Sequence, residues 1–202
     1  MSIPTESKAS GPVPVRRRRP PPGERNRGAV DALQTKIAVN VQNLDKDRYE
    51  EQLRDNVAEL PDATGCDAAF LALFNKECSA IESVIAASGV FSSCNAEPLT
   101  GEQLSNWPWL SSHLGHLKII EISDTEAAPD EATEELGRLA ELGFGSALII
   151  GFSIRDDVAG FLALANERPV SNPDADLHLL MKLIGTSLAS GLERMQSADQ
   201  LG

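Results

Sequence analysis

Apolar residues recur along the chain with two different periods, and each change of period marks an element. Val30, Leu33, Ile37, Val41 and Leu44 follow one another at steps of 3, 4, 4 and 3, the seam of a heptad helix. Asp45, Lys46 and Asp47 interrupt the seam, and Tyr49, Leu53, Val57 and Leu60 resume it. The pattern predicts one long or kinked helix over residues 28–60, stopped by Pro61, which cannot continue helical hydrogen bonding. Its first half has no evident partner in a small domain. The expectation is that Val30, Leu33, Ile37, Val41 and Leu44 form a dimerisation seam against the same helix of a second subunit.

After a turn at residues 62–65 the period drops. Residues 67–74 (DAAFLALF) read as a strand buried on both faces, and residues 79–87 as its hairpin partner across the charged turn Asn75-Lys76-Glu77. Residues 89–100 are irregular. Helical spacing surrounds Trp107-Pro108-Trp109 within 104–114, and residues 117–122 (LKIIEI) read as a short strand. Residues 129–142 read as a helix, with Pro129 and acids in the first turn, Arg138 late and Gly143 just beyond. Residues 146–154 (SALIIGFSI) and 158–165 (VAGFLALA) form the clearest hairpin. A last helix over 173–197 carries Leu177, Leu180, Met181, Ile184, Leu188, Leu192 and Met195 on one side, while Gly185, Ala189 and Gly191 permit close backbone approach. The predicted class is α+β: an antiparallel sheet of about five strands with the N- and C-terminal helices packed on one face. Strands and helices never alternate one-to-one, which disfavours a parallel Rossmann-type sheet.

Composition narrows the class of function. With 202 residues there is room for one domain and tails, and 42% hydrophobic but only 4% aromatic residues mean an aliphatic core. The net charge of −12 hides an asymmetry: seven cations face two anions in residues 1–28, which leaves the rest of the chain at −17. Such a body repels nucleic acid and anionic lipid, so a polyanion could meet only the Arg16, Arg17, Arg18 and Arg19 cluster. Residues 1–27, rich in Pro and Arg, are expected to be a disordered tail, with a core domain over 45–197 and a short C-terminal tail at 198–202. Apolar runs fall far short of the roughly 20 residues of a membrane span, and no signal segment follows the basic run; the expected place is the cytoplasm. Cys66, Cys78 and Cys94 give an odd count without zinc spacing, so neither a disulfide framework nor a structural zinc is indicated.

Residues 60–73 (LPDATGCDAAFLAL) resemble the junction of first helix and first strand in GAF domains. Residues 139–148 (LAELGFGSAL) are similar to the helix entering their fourth strand, and 158–164 (VAGFLAL) with the helix over 177–194 resemble their fifth strand and closing helix. The resemblance covers residues 45–197. It implies a non-enzymatic regulatory sensor in a bacterial signalling protein, with a small-molecule pocket on the sheet face opposite the terminal helices, dimerisation through those helices, and cyclic-di-GMP, kinase or transcriptional output elsewhere.

That pocket would lie between the sheet and residues 91–124. The candidate ligand-binding set is Cys94, Trp107, Trp109, His113, His116 and Asp124, joined by Phe144 and Phe152, since aromatic faces and imidazoles orient planar ligands. The competing reading is that the two tryptophans simply close a small core and the histidines are surface groups. His113 and His116, three apart, could share a helix face and hold a metal or haem, but no carboxylate or thiolate accompanies them at ligand spacing, and no metal is predicted. Cys94 is followed by Asn95-Ala96-Glu97 and lacks the Cys-His neighbourhood of bilin-binding relatives. Of the cyclic-nucleotide signature, Asn166 and Asp174 match while the Lys and Phe are missing. Nothing near the cysteines matches the methionine sulfoxide reductase relatives, and no GxSxG, HExxH or phosphate-binding loop is present. No catalytic residue is predicted, and the ligand is left unidentified; the alternative is an interaction or nucleic-acid-tethering module without ligand.

Overall fold

The computed structural model describes residues 27–90, 92–171 and 174–201. The Arg16 to Arg19 cluster, with the basic segment around it, and Pro173 lie outside the described residues. Three helices replace the single one expected at the start: α1 (Arg27–Gln42), α2 (Tyr49–Ala58) and α3 (Leu60–Thr64). The charged interruption is a full reversal, because Lys36 pairs with Glu59, and Asn40 Nδ2 donates to Asn56 Oδ1 at 2.9 Å, so α2 runs back along α1. Pro61 sits in the first turn of α3, where its missing N–H costs nothing.

The remaining order is β1 (Ala68–Phe74), β2 (Ile81–Ser88), α4 (Pro108–His113), β3 (Ile119–Ile122), α5 (Thr133–Glu141), β4 (Ser146–Ile154), β5 (Asp157–Asn166) and α6 (Ala175–Leu201). The five strands lie in the order β2-β1-β5-β4-β3, and every neighbouring pair is antiparallel. The three central strands are covered on both faces, which is why they read as continuous apolar runs rather than alternating ones. Leu71, Leu148, Ile150 and Leu162 point to the helical face; Phe70, Ile149, Phe161 and Ala163 point to the other. Gly143 ends α5 in the left-handed conformation at φ +88.

One expectation is corrected on the helical face. Val30, Leu33, Ile37, Val41 and Leu44 are not left without a partner: they belong to the core that α6 closes within the same chain, and Val41 is 0% exposed. The contact depends on a glycine, since a Cβ at Gly191 would stand 2.3 Å from the Val41 carbonyl oxygen. The heptad spacing therefore marks an intrachain helix contact. Helix α6 continues to Leu201.

Candidate functional site

On the face opposite α1 and α6, the chain between β2 and β3 must cover an aromatic floor. Phe70 stacks on Phe144 at 5.5 Å between centroids, and Phe161 meets Phe70 edge-on at 5.9 Å. Trp107, 2% exposed, roofs this floor. Between roof and floor remains a cavity of about 10 Å³ with ten lining residues, all of them apolar or aromatic. Such a space holds at most one water and offers it few polar partners.

The roof is fastened by polar groups at its rim. Trp107 Nε1–H donates to Glu102 Oε2 at 3.2 Å, and the same oxygen accepts from Arg138 Nη2 at 2.8 Å. The Arg138 guanidinium lies 4.2 Å from the Trp107 ring centroid, and its Nη1 donates to the Asn106 carbonyl at 3.2 Å. Glu135, 5% exposed, accepts from the backbone N–H groups of Trp109 at 2.6 Å and Leu110 at 2.9 Å. Those are first-turn donors of α4 with no helical acceptor, so the carboxylate satisfies them and ties α4 to α5. The hydrogen bond from Arg138 holds the Glu102 carboxyl below the usual carboxylate range; partial burial opposes this and the Trp107 N–H adds to it.

Outside the roof lies an open groove of about 530 Å³, lined by Phe74, Leu104, Pro108, Leu114 and Val158 with Cys78 and the polar Ser79, Gln103, Ser105 and Ser111. Residues 104–111 are thus a partition: Leu104 and Pro108 face the groove, Trp107 and Leu110 the cavity. A smaller cleft of about 110 Å³ lies by Cys94.

The structure brings together only part of the sequence-predicted set. Trp107 and Phe144 meet across the cavity. Trp109 is half-buried and stacks on His113 at 4.6 Å, outside the cavity, where its carbonyl lies 2.8 Å from His113 Nδ1. His113 ends α4 while His116 lies beyond it and accepts the Ser153 backbone N–H at 3.1 Å, so the two do not share a helix face. Asp124 accepts from the Glu126 N–H in a local turn. Phe152 is on the helical face and cannot reach the cavity. Cys94 is 7% exposed and its thiol donates to the Gly143 carbonyl at 3.2 Å. Burial is the main cause pushing the Cys94 and Cys78 thiols up, which keeps both protonated near neutrality. Glu102, Glu135 and Arg138 were not foreseen. An available signal was the step of three from Glu135 to Arg138, which places both on one side of α5.

No protein-family model and no curated protein sequence matches this chain. Solved structures do. The phycocyanobilin-bound GAF domain of a cyanobacterial phytochrome has a TM-score of 0.65, covers 84% of this chain and 96% of its own, and is 16% identical. A phycoerythrobilin-bound GAF domain of a cyanobacterial phytochrome has the same TM-score and coverage at 14% identity. A domain from a two-component sensor histidine kinase protein of Sinorhizobium meliloti reaches 0.55 over 75% of this chain and 96% of its own, at 15% identity.

The fold is that of a GAF domain. Its antiparallel five-stranded sheet and paired terminal helices agree with the architecture expected from the sequence. A molecule the size of the bilin held by two of these neighbours does not fit the cavity under Trp107 as it stands. A ligand of ordinary drug size needs roughly 300–1,000 Å³, against about 10 Å³ between roof and floor, and the nearby Cys94 thiol is buried and hydrogen-bonded.

Proposed function

We propose that this GAF fold is a non-enzymatic regulatory module that binds a small molecule beside residues 102–114 and reports it through α1 and α6, as part of a bacterial signal-transduction protein. One observation carries the reading: β4 alternates between the two sides of the sheet. Ile149 lines the cavity, while Ile150 packs on α6 at Gly185, where a Cβ would lie 3.4 Å from the Ile150 Cδ1. A shift of β4 driven from the cavity side is therefore felt at once by α6. Signalling requires that the ligand bind two helix arrangements with different affinity; equal affinity moves nothing. Structural likeness to a domain of a sensor kinase protein supports the same role. Among the described residues, no helix is long and apolar enough to cross a membrane.

The test is native mass spectrometry of the full chain purified from its own host, combined with amide hydrogen exchange in the presence of host metabolite extract. The expected outcome is an added mass lost on denaturation and altered exchange in α1 and α6. A bare polypeptide mass with unchanged exchange would overturn the reading. The second reading, an interaction module without ligand, draws on the near absence of space under Trp107. Homodimerisation stays with the terminal helices, now through their outer faces, where Val39 is 53% and Leu179 is 59% exposed. Changing both to Lys should convert dimers to monomers in light scattering.

A further inference from the structure

The groups around Trp107 describe a small-molecule site whose occupant is a side chain. The apolar floor of Phe70, Phe144, Ile149 and Phe161 accepts a flat ring. Arg138 lies over its face at 4.2 Å, and Glu102 accepts its N–H at 3.2 Å. One hydrogen-bond acceptor, one cation over the π face and an otherwise apolar enclosure are how a protein recognises a heteroaromatic molecule. We infer that Trp107 is an internal ligand, and that the external ligand of this domain is an uncharged planar heteroaromatic molecule of about indole size with a ring N–H, which takes the place of the Trp107 side chain. This inference rests on the sensor reading above and supplies its ligand class and its off state.

Three features make Trp107 displaceable rather than a fixed part of the core. Its segment is short, with a 3-10 turn (Leu104–Asn106) before it and only α4 after it. Trp107 itself lines only the cavity, but its neighbours Leu104 and Pro108 line the groove of about 530 Å³, so an outward swing of the segment has space to enter. And the recognition groups do not leave with it: Glu102 and Arg138 bond each other at 2.8 Å, so they stay in place for the incoming ring. The space vacated by the ring has an apolar floor with Glu102 and Arg138 at its rim, and apolar cavities take up small aromatic molecules. The apparent affinity of the external ligand is reduced by the fraction of time Trp107 spends inside.

Indole itself is the probe. The full chain, carrying 5-fluorotryptophan at its two tryptophan positions, gives two fluorine resonances, assigned with Trp109→Phe. Indole should shift the Trp107 resonance saturably toward its solvent-exposed position while leaving that of Trp109 near its starting place, and 1-methylindole, which lacks the N–H, should be several-fold weaker. A Trp107 resonance unmoved up to the solubility of indole overturns the inference. Trp107→Ala, free of the internal competitor, should bind indole at least about tenfold more tightly than the parent chain. Equal affinity would place indole in the outer groove, which leaves the sensor reading standing and removes the internal ligand. Should Trp107→Ala not fold, Trp107→Phe keeps a ring but not the N–H. Indole should then displace it at lower concentration than it displaces Trp107, and an unchanged or higher concentration counts against the proposal.

Discussion

The two faces of the sheet are closed by different means. On the helical face α1, α2 and α6 bury aliphatic side chains over β1, β4 and β5, and α1 approaches α6 so closely that Gly191 touches the Val41 backbone. On the opposite face a short segment buries Trp107 and Leu110 in an apolar core shared with α5, and side chains of Glu102, Glu135 and Arg138 fasten it at the rim. Apolar closure spread over three helices is tied to the stability of the whole chain. A short segment, fastened at its rim by polar contacts, is the kind that opens locally without global unfolding. On the function proposed above, output falls to the helical face and ligand access to the face of Trp107.

The harshest way to break the comparison is to charge the helical face. Ile37 is 2% exposed inside the core that α6 closes. Ile37→Asp loses its burial and places a carboxylate in an apolar site, together on the order of 5 kcal/mol. That is comparable to the total stability of a small domain, about 5–15 kcal/mol. The chain should lose its cooperative thermal transition at every protein concentration. A folded monomer from a dimeric parent would instead restore the seam to a subunit interface. A milder probe is Gly191→Ala, whose methyl would stand 2.3 Å from the Val41 carbonyl oxygen and push α1 outward. The cost expected from denaturant titration is about 1–3 kcal/mol, with Trp107 staying buried in the folded chain.

The same scale of damage on the other face should stay local. Arg138→Met removes the guanidinium from the Trp107 ring and its bonds to Glu102 and Asn106 while keeping much of the side-chain bulk. About 1–2 kcal/mol is expected. The signature is a split in size: in a Trp109→Phe background, acrylamide quenching of Trp107 should rise severalfold while amide exchange in α1 and α6 changes far less, with no loss of their protection as a whole. Equal loosening of both faces would show that they open as one unit.

How much of this was legible depends on what kind of fact each feature is. β4 and the β4–β5 hairpin could be read directly, because a strand covered on both faces is a nearly continuous apolar run, as Ala147 to Phe152 is. That same continuity hid which face each residue takes, so Phe152 was placed beside Phe144 when the pleat puts it against the helices. The spacing from Val30 to Leu44 shows that one side of α1 is covered, but periodicity carries no information about which chain does the covering. The answer lay far downstream, in the glycine at 191. The reversal at residues 43–48 was misread because a charged interruption in an apolar pattern suits a kinked helix as well as a turn. Trp107 was legible as a rare large residue in the middle segment. The Glu102, Glu135 and Arg138 fastenings were not, because each reaches its partner only after the chain has folded back, as Arg138 does across 36 residues to Glu102.

The gentlest perturbation is acid. Glu102 is held below its ordinary pKa by Arg138, so its ionised form is favoured by folding. Its contribution is complete above the unperturbed value of about 4.3 and is lost as pH falls through the depressed folded value. Between pH 7 and 5 the roof should therefore be insensitive to pH. As pH falls through that depressed value the carboxyl takes up a proton, its bond to Arg138 loses charge assistance, and Trp107 should become more accessible to acrylamide before far-UV circular dichroism reports any unfolding. In Glu102→Gln, which cannot ionise, Trp107 should be more accessible at pH 7 and this early acid step should vanish. If the step persists in that variant, another carboxylate holds the roof, and Glu135, bonded to the first turn of α4, is the next to replace.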